Sequence, residues 1–259
     1  MRRPMPIDTR AMYDAAAADW HRGQPVLLSD YTARERVIEL VGDIRGLHLW
    51  DLGCGEGYVG RRLAALGPQR LDGFDLSAEM VGAAQRQAGP LAAEQGGPLR
   101  YSVADLADPA QLPAGRCDGA LAVFLFNYLS LAATQRLLRH VHAALQPGGF
   151  FLYTAPHPAL AFLRGAEPPF YLDPAGQPYL GSSDLSFEGR IWRRDGIANP
   201  VRSLHKTVED HFRLLAASGW ERLPLVEELG VTEAHLRLDP QFFGPLRGLP
   251  LHLLFLLRR

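Results

Sequence analysis

The sequence predicts an α/β fold, a mostly parallel sheet with helices on both faces, and three observations predict it. Short apolar runs of strand type alternate with segments of helical period along most of the chain. The run Leu47-His48-Leu49-Trp50-Asp51-Leu52 passes through Gly53, Gly55 and Gly57 into a helical pattern carrying Val59, Leu63 and Leu66, which reads as strand, tight turn, helix. Three strand-like runs, 47–52, 69–76 and 99–106, end in acids, Asp51, Asp75 and Asp105. Parallel pairing puts those carboxylates on one edge of the sheet, the edge where open α/β sheets take ligands.

Composition bounds what such a fold can do. With 259 residues, 47% hydrophobic and 21% charged, the chain is long enough for one α/β domain with a sizeable core. A formal net charge of −1 gives no general pull toward nucleic acid or an anionic membrane, so a small, roughly neutral or zwitterionic partner is expected. Cys54 and Cys117 are too few for a disulfide framework or a metal cluster and point to a reducing, cytoplasmic setting. No His-Glu-x-x-His or paired Cys-x-x-Cys spacing occurs, so no metal is expected. Asp8, Arg10, Asp14 and Asp19 interrupt any apolar stretch after Arg2-Arg3, so no export signal is read. The apolar run 249–257 falls short of the roughly 20 residues of a membrane span and reads as a buried strand.

In chain order, a helix is expected from Thr9 to about Trp20. Tyr13 and Trp20 stand seven residues apart on one face, as core packing or as a closing lid. A second amphipathic helix over 31–43 turns Val37, Leu40, Val41 and Ile44 to a core. The glycine turn lets a ligand lie against main chain, and the helix start behind it leaves N–H groups to meet negative charge. Its spacing also satisfies the dinucleotide pattern, in Gly55-Glu56-Gly57-Tyr58-Val59-Gly60. Asp51 separates the readings, because a carboxylate there repels a pyrophosphate and draws a cofactor bearing an ammonium and a sulfonium. Asp75 follows Asp51 by 24 residues, near where nucleotide-binding units place the carboxylate that accepts from ribose hydroxyls. Ser77 supplies the next helix cap, with Glu79 near its start. A nearly all-apolar strand follows over 117–124, then a periodic helix over 131–145 that stops at Gln146-Pro147-Gly148-Gly149, then a fifth strand from Phe150.

Asp51-Leu52-Gly53-Cys54-Gly55-Glu56-Gly57 resembles the first motif of class I S-adenosylmethionine-dependent methyltransferases. Later segments follow that family's order over 47–151 and more loosely to Arg259. The resemblance implies a Rossmann-like, seven-stranded sheet and S-adenosylmethionine as cofactor, leaving as S-adenosylhomocysteine. It further implies a cofactor site: Asp51, Gly53, Cys54, Gly55 and Gly57 at the turn, Asp75 on the ribose, Leu76 and Met80 flanking the adenosine. Asp105 would take the adenine amino group, Leu106 would stack on the ring, and Val123 would touch the methionine part. In Phe124-Leu125-Phe126-Asn127-Tyr128, Asn127 stands where the family often has His; Asn127 and Tyr128, with Tyr13 and Trp20, are candidate substrate residues.

After the fifth strand, Ala155-Pro156-His157-Pro158 breaks the regular pattern. The segment beyond it contains Pro168-Pro169-Phe170-Tyr171, Tyr179 and a hairpin over 187–196 with Asp195-Gly196 as its turn. A stretch this long reads as a lid. The expected organisation is therefore an N-terminal helical lid (1–45) and a methyltransferase core (46–259) with a substrate-covering insertion at 156–200. Tyr171 and Trp192 are expected to wall an apolar pocket; Arg190, Arg193 and Arg194 would meet a substrate carboxylate or phosphate, or form a solvated face, and are too few for nucleic acid. A strand over 201–207, a helix over 208–218, strands at 220–226 and 249–257 and a loop over 240–248 complete the chain.

The chemistry implied is direct SN2 displacement at a sulfonium methyl, which needs a base only if the acceptor arrives protonated. His157 and His205 are the candidate bases, since imidazole titrates near neutrality; His157-Pro158 and His205-Lys206-Thr207 also resemble steps in the family's C-terminal third. The expected function is methyl transfer to the N, O or C atom of a small molecule of secondary metabolism. A nicotinamide-dependent oxidoreductase and a non-catalytic cofactor-binding protein of the same fold are the alternatives.

Overall fold

The computed structural model describes residues 9–259. Strands β1 (His48–Leu52), β2 (Arg70–Asp75), β3 (Leu99–Val103), β4 (Cys117–Val123) and β5 (Leu145–Pro156) pair in parallel. Strands β6 (Phe170–Asp173), β7 (Ser186–Trp192) and β8 (Ala198–Leu204) form a separate antiparallel sheet. Strands β9 (Leu225–Leu229) and β10 (His252–Arg258) complete the large sheet, in the order β3-β2-β1-β4-β5-β10-β9, with β10 antiparallel to both of its neighbours. The helices are α1 (Thr9–Trp20), α2 (Glu35–Leu40), α3 (Tyr58–Ala64), α4 (Ala78–Ala88), α5 (Leu131–Ala144), α6 (Leu160–Leu163), α7 (Val208–Ala216), α8 (Glu233–Leu238) and α9 (Pro240–Phe243). No helix among the described residues is long and apolar enough to cross a membrane.

Strand alternation divides the core into two layers. On β1, Leu49 joins Val37, Leu63, Val81 and Leu121 beneath α2, α3 and α4, whereas Trp50 joins Leu137, Val141, Phe151 and Leu214 beneath α5 and α7. A third cluster, Leu27, Leu28, Phe170, Leu172, Ile191 and Phe243 among its members, packs beneath the three-stranded sheet. It fixes that sheet over the carboxyl edge of β1 to β4.

Several expected boundaries move. The second helix starts as a π-helical turn, Asp30–Arg34, and its α-helical part ends at Leu40. Residues 201–207 do not form a strand of the large sheet: β8 starts at Ala198, ends at Leu204 and pairs with β7. The strand expected at 220–226 lies at Leu225–Leu229, because Trp220 is buried from the turn, edge-on to His142 and stacked near Phe151. Within the expected loop 240–248, Asp239 Oδ1 accepts from the Phe242 N–H at 3.0 Å and caps the short helix α9. The last strand starts at His252, after Pro250, instead of at 249.

Candidate active site

A cavity of about 480 Å³ lies at the carboxyl edge of β1 to β4, within the range of small-molecule sites. Its wall brings together Asp51, Gly53, Cys54, Gly55, Asp75, Leu76, Met80, Asp105, Leu106 and Val123, and on the other side Tyr13, Trp20, Asn127 and Tyr128. Gly57 lies just outside it. Its φ of +80° starts α3, and a Cβ there would come within 2.7 Å of the Tyr101 hydroxyl.

The glycine turn is stitched to β2. Gly53 and Cys54 donate backbone N–H bonds to the Phe74 carbonyl, at 2.8 and 3.0 Å. Asp75 Oδ2 accepts from the Gly55 N–H at 2.8 Å, and Oδ1 from the Ser77 N–H at 3.0 Å. Burial raises the pKa of Asp75 while these backbone donors pull it back. Ser77 caps α4, accepting from the Met80 N–H at 3.1 Å, and its hydroxyl donates to Asp14 of α1. Asp105 is half-buried, and its Oδ1 accepts from the Ala107 N–H at 2.9 Å, shaping the loop after β3.

Asp51 is in a different state. Burial, and then the neighbouring charge of Asp75, push its pKa up to about 7 against the opposing pull of Arg34. Its Oδ2 is buried with no hydrogen-bond partner among the described residues. A buried carboxyl without a donor is costly, and a ligand that brings a positive charge to it relieves the cost.

Sequence reasoning missed the charges behind this wall. Arg22 donates to both oxygens of Asp30, at 2.8 and 2.9 Å, and to Glu56 Oε1 at 3.1 Å. Arg61 holds the other Glu56 oxygen at 2.7 Å, and Arg34 reaches Asp30 Oδ1 at 3.2 Å. Three guanidiniums meet two carboxylates, and the surplus positive charge lies on the cavity side, where Arg34 sits 5.3 Å from the Phe124 ring centre. The four-residue spacing of Asp30 and Arg34 was a visible signal; nothing in the sequence pairs Arg22 with Glu56. Phe124 itself takes φ +60° directly after β4, a left-handed turn that brings its ring edge-on to His252 at 4.9 Å.

At the opposite end, the Tyr13 hydroxyl donates to that of Tyr128, and the Tyr13 ring lies 5.6 Å from Trp20. Asn127 Nδ2 donates to the Arg202 carbonyl at 3.4 Å. Phe170, Leu172, Ile191 and Val201 supply the apolar wall from the three-stranded sheet.

Besides Gly57, four expected site residues do not reach this cavity. Tyr171 and Trp192 alternate with the inward Phe170, Leu172 and Ile191 and pair with each other instead, rings 6.1 Å apart. His157 follows the cavity-lining Pro156 and faces a small separate space of about 20 Å³, as does His205. His157 Nδ1 accepts from the Ala159 N–H at 3.2 Å, so its proton sits on Nε2, 3.0 Å from Glu228 Oε1. Both nitrogens are engaged. His205 donates from Nε2 to the Tyr179 carbonyl at 3.0 Å, stacks on Phe187, and has its pKa lowered by burial. The hairpin arginines are likewise elsewhere: Arg193 is held by Asp195 and the Asp19 carbonyl, Arg194 by Asp239 and Tyr31, and Arg190 is exposed.

Carboxylates on β1 and β2 and in the loop after β3 around one cleft, beside a glycine turn, define an α/β enzyme that takes an adenosine-type cofactor. Residues 50–149 match the methyltransferase domain family. The chain is 28% identical to the crystal structure of an S-adenosylmethionine-dependent methyltransferase from Mesorhizobium loti, with a TM-score of 0.64 over 89% of this chain and 99% of that one. It shares the fold of magnesium protoporphyrin IX methyltransferase from Synechocystis PCC 6803 with bound S-adenosylhomocysteine, at 16% identity, TM-score 0.61, over 96% and 97% of the two chains. It is also 27% identical, over 72% of each chain, to an uncharacterised protein of Haemophilus influenzae. The chain carries a methyltransferase domain over residues 50–149 and the fold of S-adenosylmethionine-dependent methyltransferases, and S-adenosylmethionine is its cofactor.

Proposed function

We propose that the enzyme methylates a small molecule held between α1 and the three-stranded sheet. The observation that carries this reading is the composition of the cavity's second half. Trp20, Phe170, Leu172, Ile191 and Val201 make a mostly apolar wall, and Tyr13, Asn127 and Tyr128 supply a few polar groups, the usual make-up of a small-ligand site.

The cofactor, when bound, supplies an electrophilic methyl group on a sulfonium. Asp51 would hold its ammonium, and Arg34, carrying the surplus charge of the buried network, its carboxylate. Asp75, already ordered by two backbone donors, would accept from the ribose hydroxyls; Leu76, Met80, Asp105 and Leu106 would surround the adenine. Residues 9–45 and 156–200 act as covers in this reading, residues 1–8 of the expected lid lying outside the described residues: Asp14 fastens α1 to Ser77, and the insertion's sheet closes the opposite side. Holding two reactants in contact supplies most of the rate gain for a displacement of this kind. The free, buried Cys54 and Cys117 accord with a reducing, cytoplasmic setting.

The test is incubation with methyl-labelled S-adenosylmethionine and a set of small phenols, amines and carboxylic acids. Label on a low-mass acceptor is the expected result. Label that goes only to added protein or nucleic acid would contradict the reading.

A further inference from the structure

His252 lies at the start of β10, in the strand read from sequence as plain core, yet its imidazole lines the catalytic cavity beside Pro156, Phe170 and Arg34. Its ring is fixed from both sides, 4.9 Å from Phe124 and 6.0 Å from Phe170. A short relay also fixes its protons. The Thr32 hydroxyl lies 3.0 Å from the Leu28 carbonyl and 2.9 Å from His252 Nε2. The carbonyl can only accept, so the hydroxyl proton points to it, and Thr32 Oγ1 is left to accept from His252 Nε2–H. The lone pair therefore resides on Nδ1. That atom is buried and has no hydrogen-bond partner among the described residues.

A buried acceptor left unpaired is a standing cost unless something in the cavity pairs with it. We infer that His252 Nδ1 is the hydrogen-bond acceptor for an N–H or O–H of the methyl acceptor, and that it selects substrates carrying such a donor at or beside the reacting atom. The inference rests on the methyltransferase reading and names a substrate class for it. Burial and the adjacent Arg34 and His157 push the imidazole pKa down to about 3, so the ring stays neutral and orients the substrate's hydrogen without storing it as imidazolium. In the reaction the acceptor's lone pair forms the new bond to carbon and the C–S electron pair leaves with sulfur. The acceptor's proton then goes to water after transfer.

Isosteric probe pairs test this directly: indole against benzothiophene for N–H, and phenol against fluorobenzene for O–H, titrated into enzyme saturated with S-adenosylhomocysteine and followed by calorimetry. The donor-bearing member of at least one pair should bind roughly tenfold more tightly, the scale of one hydrogen bond to an otherwise unpaired group. His252→Gln keeps a donor toward Thr32 but removes the acceptor at the Nδ1 position, and should abolish the preference. His252→Asn, whose Oδ1 stands near the Nδ1 position, should retain it. S-adenosylhomocysteine affinity, measured separately on each protein, should be unchanged, and its absence in the wild type would refute the underlying reading instead. With cofactor binding intact, equal affinity within both wild-type pairs, or a preference that survives His252→Gln, would overturn the role of His252.

Discussion

The backbone N–H of Gly55 donates to Asp75 Oδ2 at 2.8 Å, so the acid at the end of β2 holds the glycine turn that follows β1. One carboxylate thus shapes the turn and, in the proposed cofactor site, would accept from a ligand's hydroxyls. Asp75→Ala removes both functions and should weaken S-adenosylhomocysteine binding by roughly 1.5–3 kcal/mol, the scale of hydrogen bonds to a charged group. Calorimetric titration of the variant against the wild type checks it; an unchanged affinity would remove Asp75 from the cofactor site.

Asp51 makes the ligand-free protein sensitive to pH. Its pKa in the folded chain is about 7, against 3.8 for the ordinary side chain. Between those values the folded state keeps a proton that the unfolded chain releases, so stability falls as pH rises through the window and is flat on either side. Asp51→Asn removes the buried charge. Without cofactor the variant should match the wild type near pH 4 and exceed it by roughly 2–4 kcal/mol at pH 8. Urea unfolding at both pH values is the measurement, and a difference that is constant with pH would contradict the assignment.

The Arg22 network behaves oppositely. Despite its burial, Asp30 has a lowered pKa because Arg22 and Arg34 favour its charged form. Its contribution is present above the ordinary value of 3.8 and is lost as pH falls toward the lower, folded-state value. Arg22→Met leaves Asp30 and Glu56 short of a buried partner and should cost about 3–5 kcal/mol at neutral pH. A loss below 1 kcal/mol, roughly that of an exposed pair, would show the network to be solvated.

His157 offers a negative control. Both ring nitrogens are engaged outside the cavity. His157→Asn should therefore leave S-adenosylhomocysteine affinity and kcat/KM for a methyl acceptor within about twofold, less than about 0.5 kcal/mol. A loss of a hundredfold in kcat/KM alone would restore it as a base.

The parallel half of the sheet and the gathering of three acids at one cavity were legible because both depend on local patterns. Apolar runs ending in Asp51, Asp75 and Asp105 specify strands, and the alternate glycines specify the turn between β1 and α3. The covering segments were legible only as segments. Aromatic character alone assigns Tyr171 and Trp192 to the pocket, yet in β6 and β7 facing direction is set by register, and Phe170 and Ile191 take the inward positions. His252 escaped notice inside an apolar run, where its neighbours Leu251 and Leu253 speak for core. Its tautomer depends on Thr32, a residue 220 positions away, and no local pattern encodes such a pairing.

The most direct test of the account is the proton balance of cofactor binding. Calorimetry of S-adenosylhomocysteine binding near pH 6.5, in two buffers of different ionisation enthalpy, reads the protons released as Asp51, with its pKa of about 7, becomes the carboxylate that faces the ligand's ammonium. Binding should release protons, the affinity should rise with pH and level off above about 7, and Asp51→Asn should lose both features. Binding with no proton exchange in the wild type, or a preference for NADH over S-adenosylhomocysteine, would contradict the account.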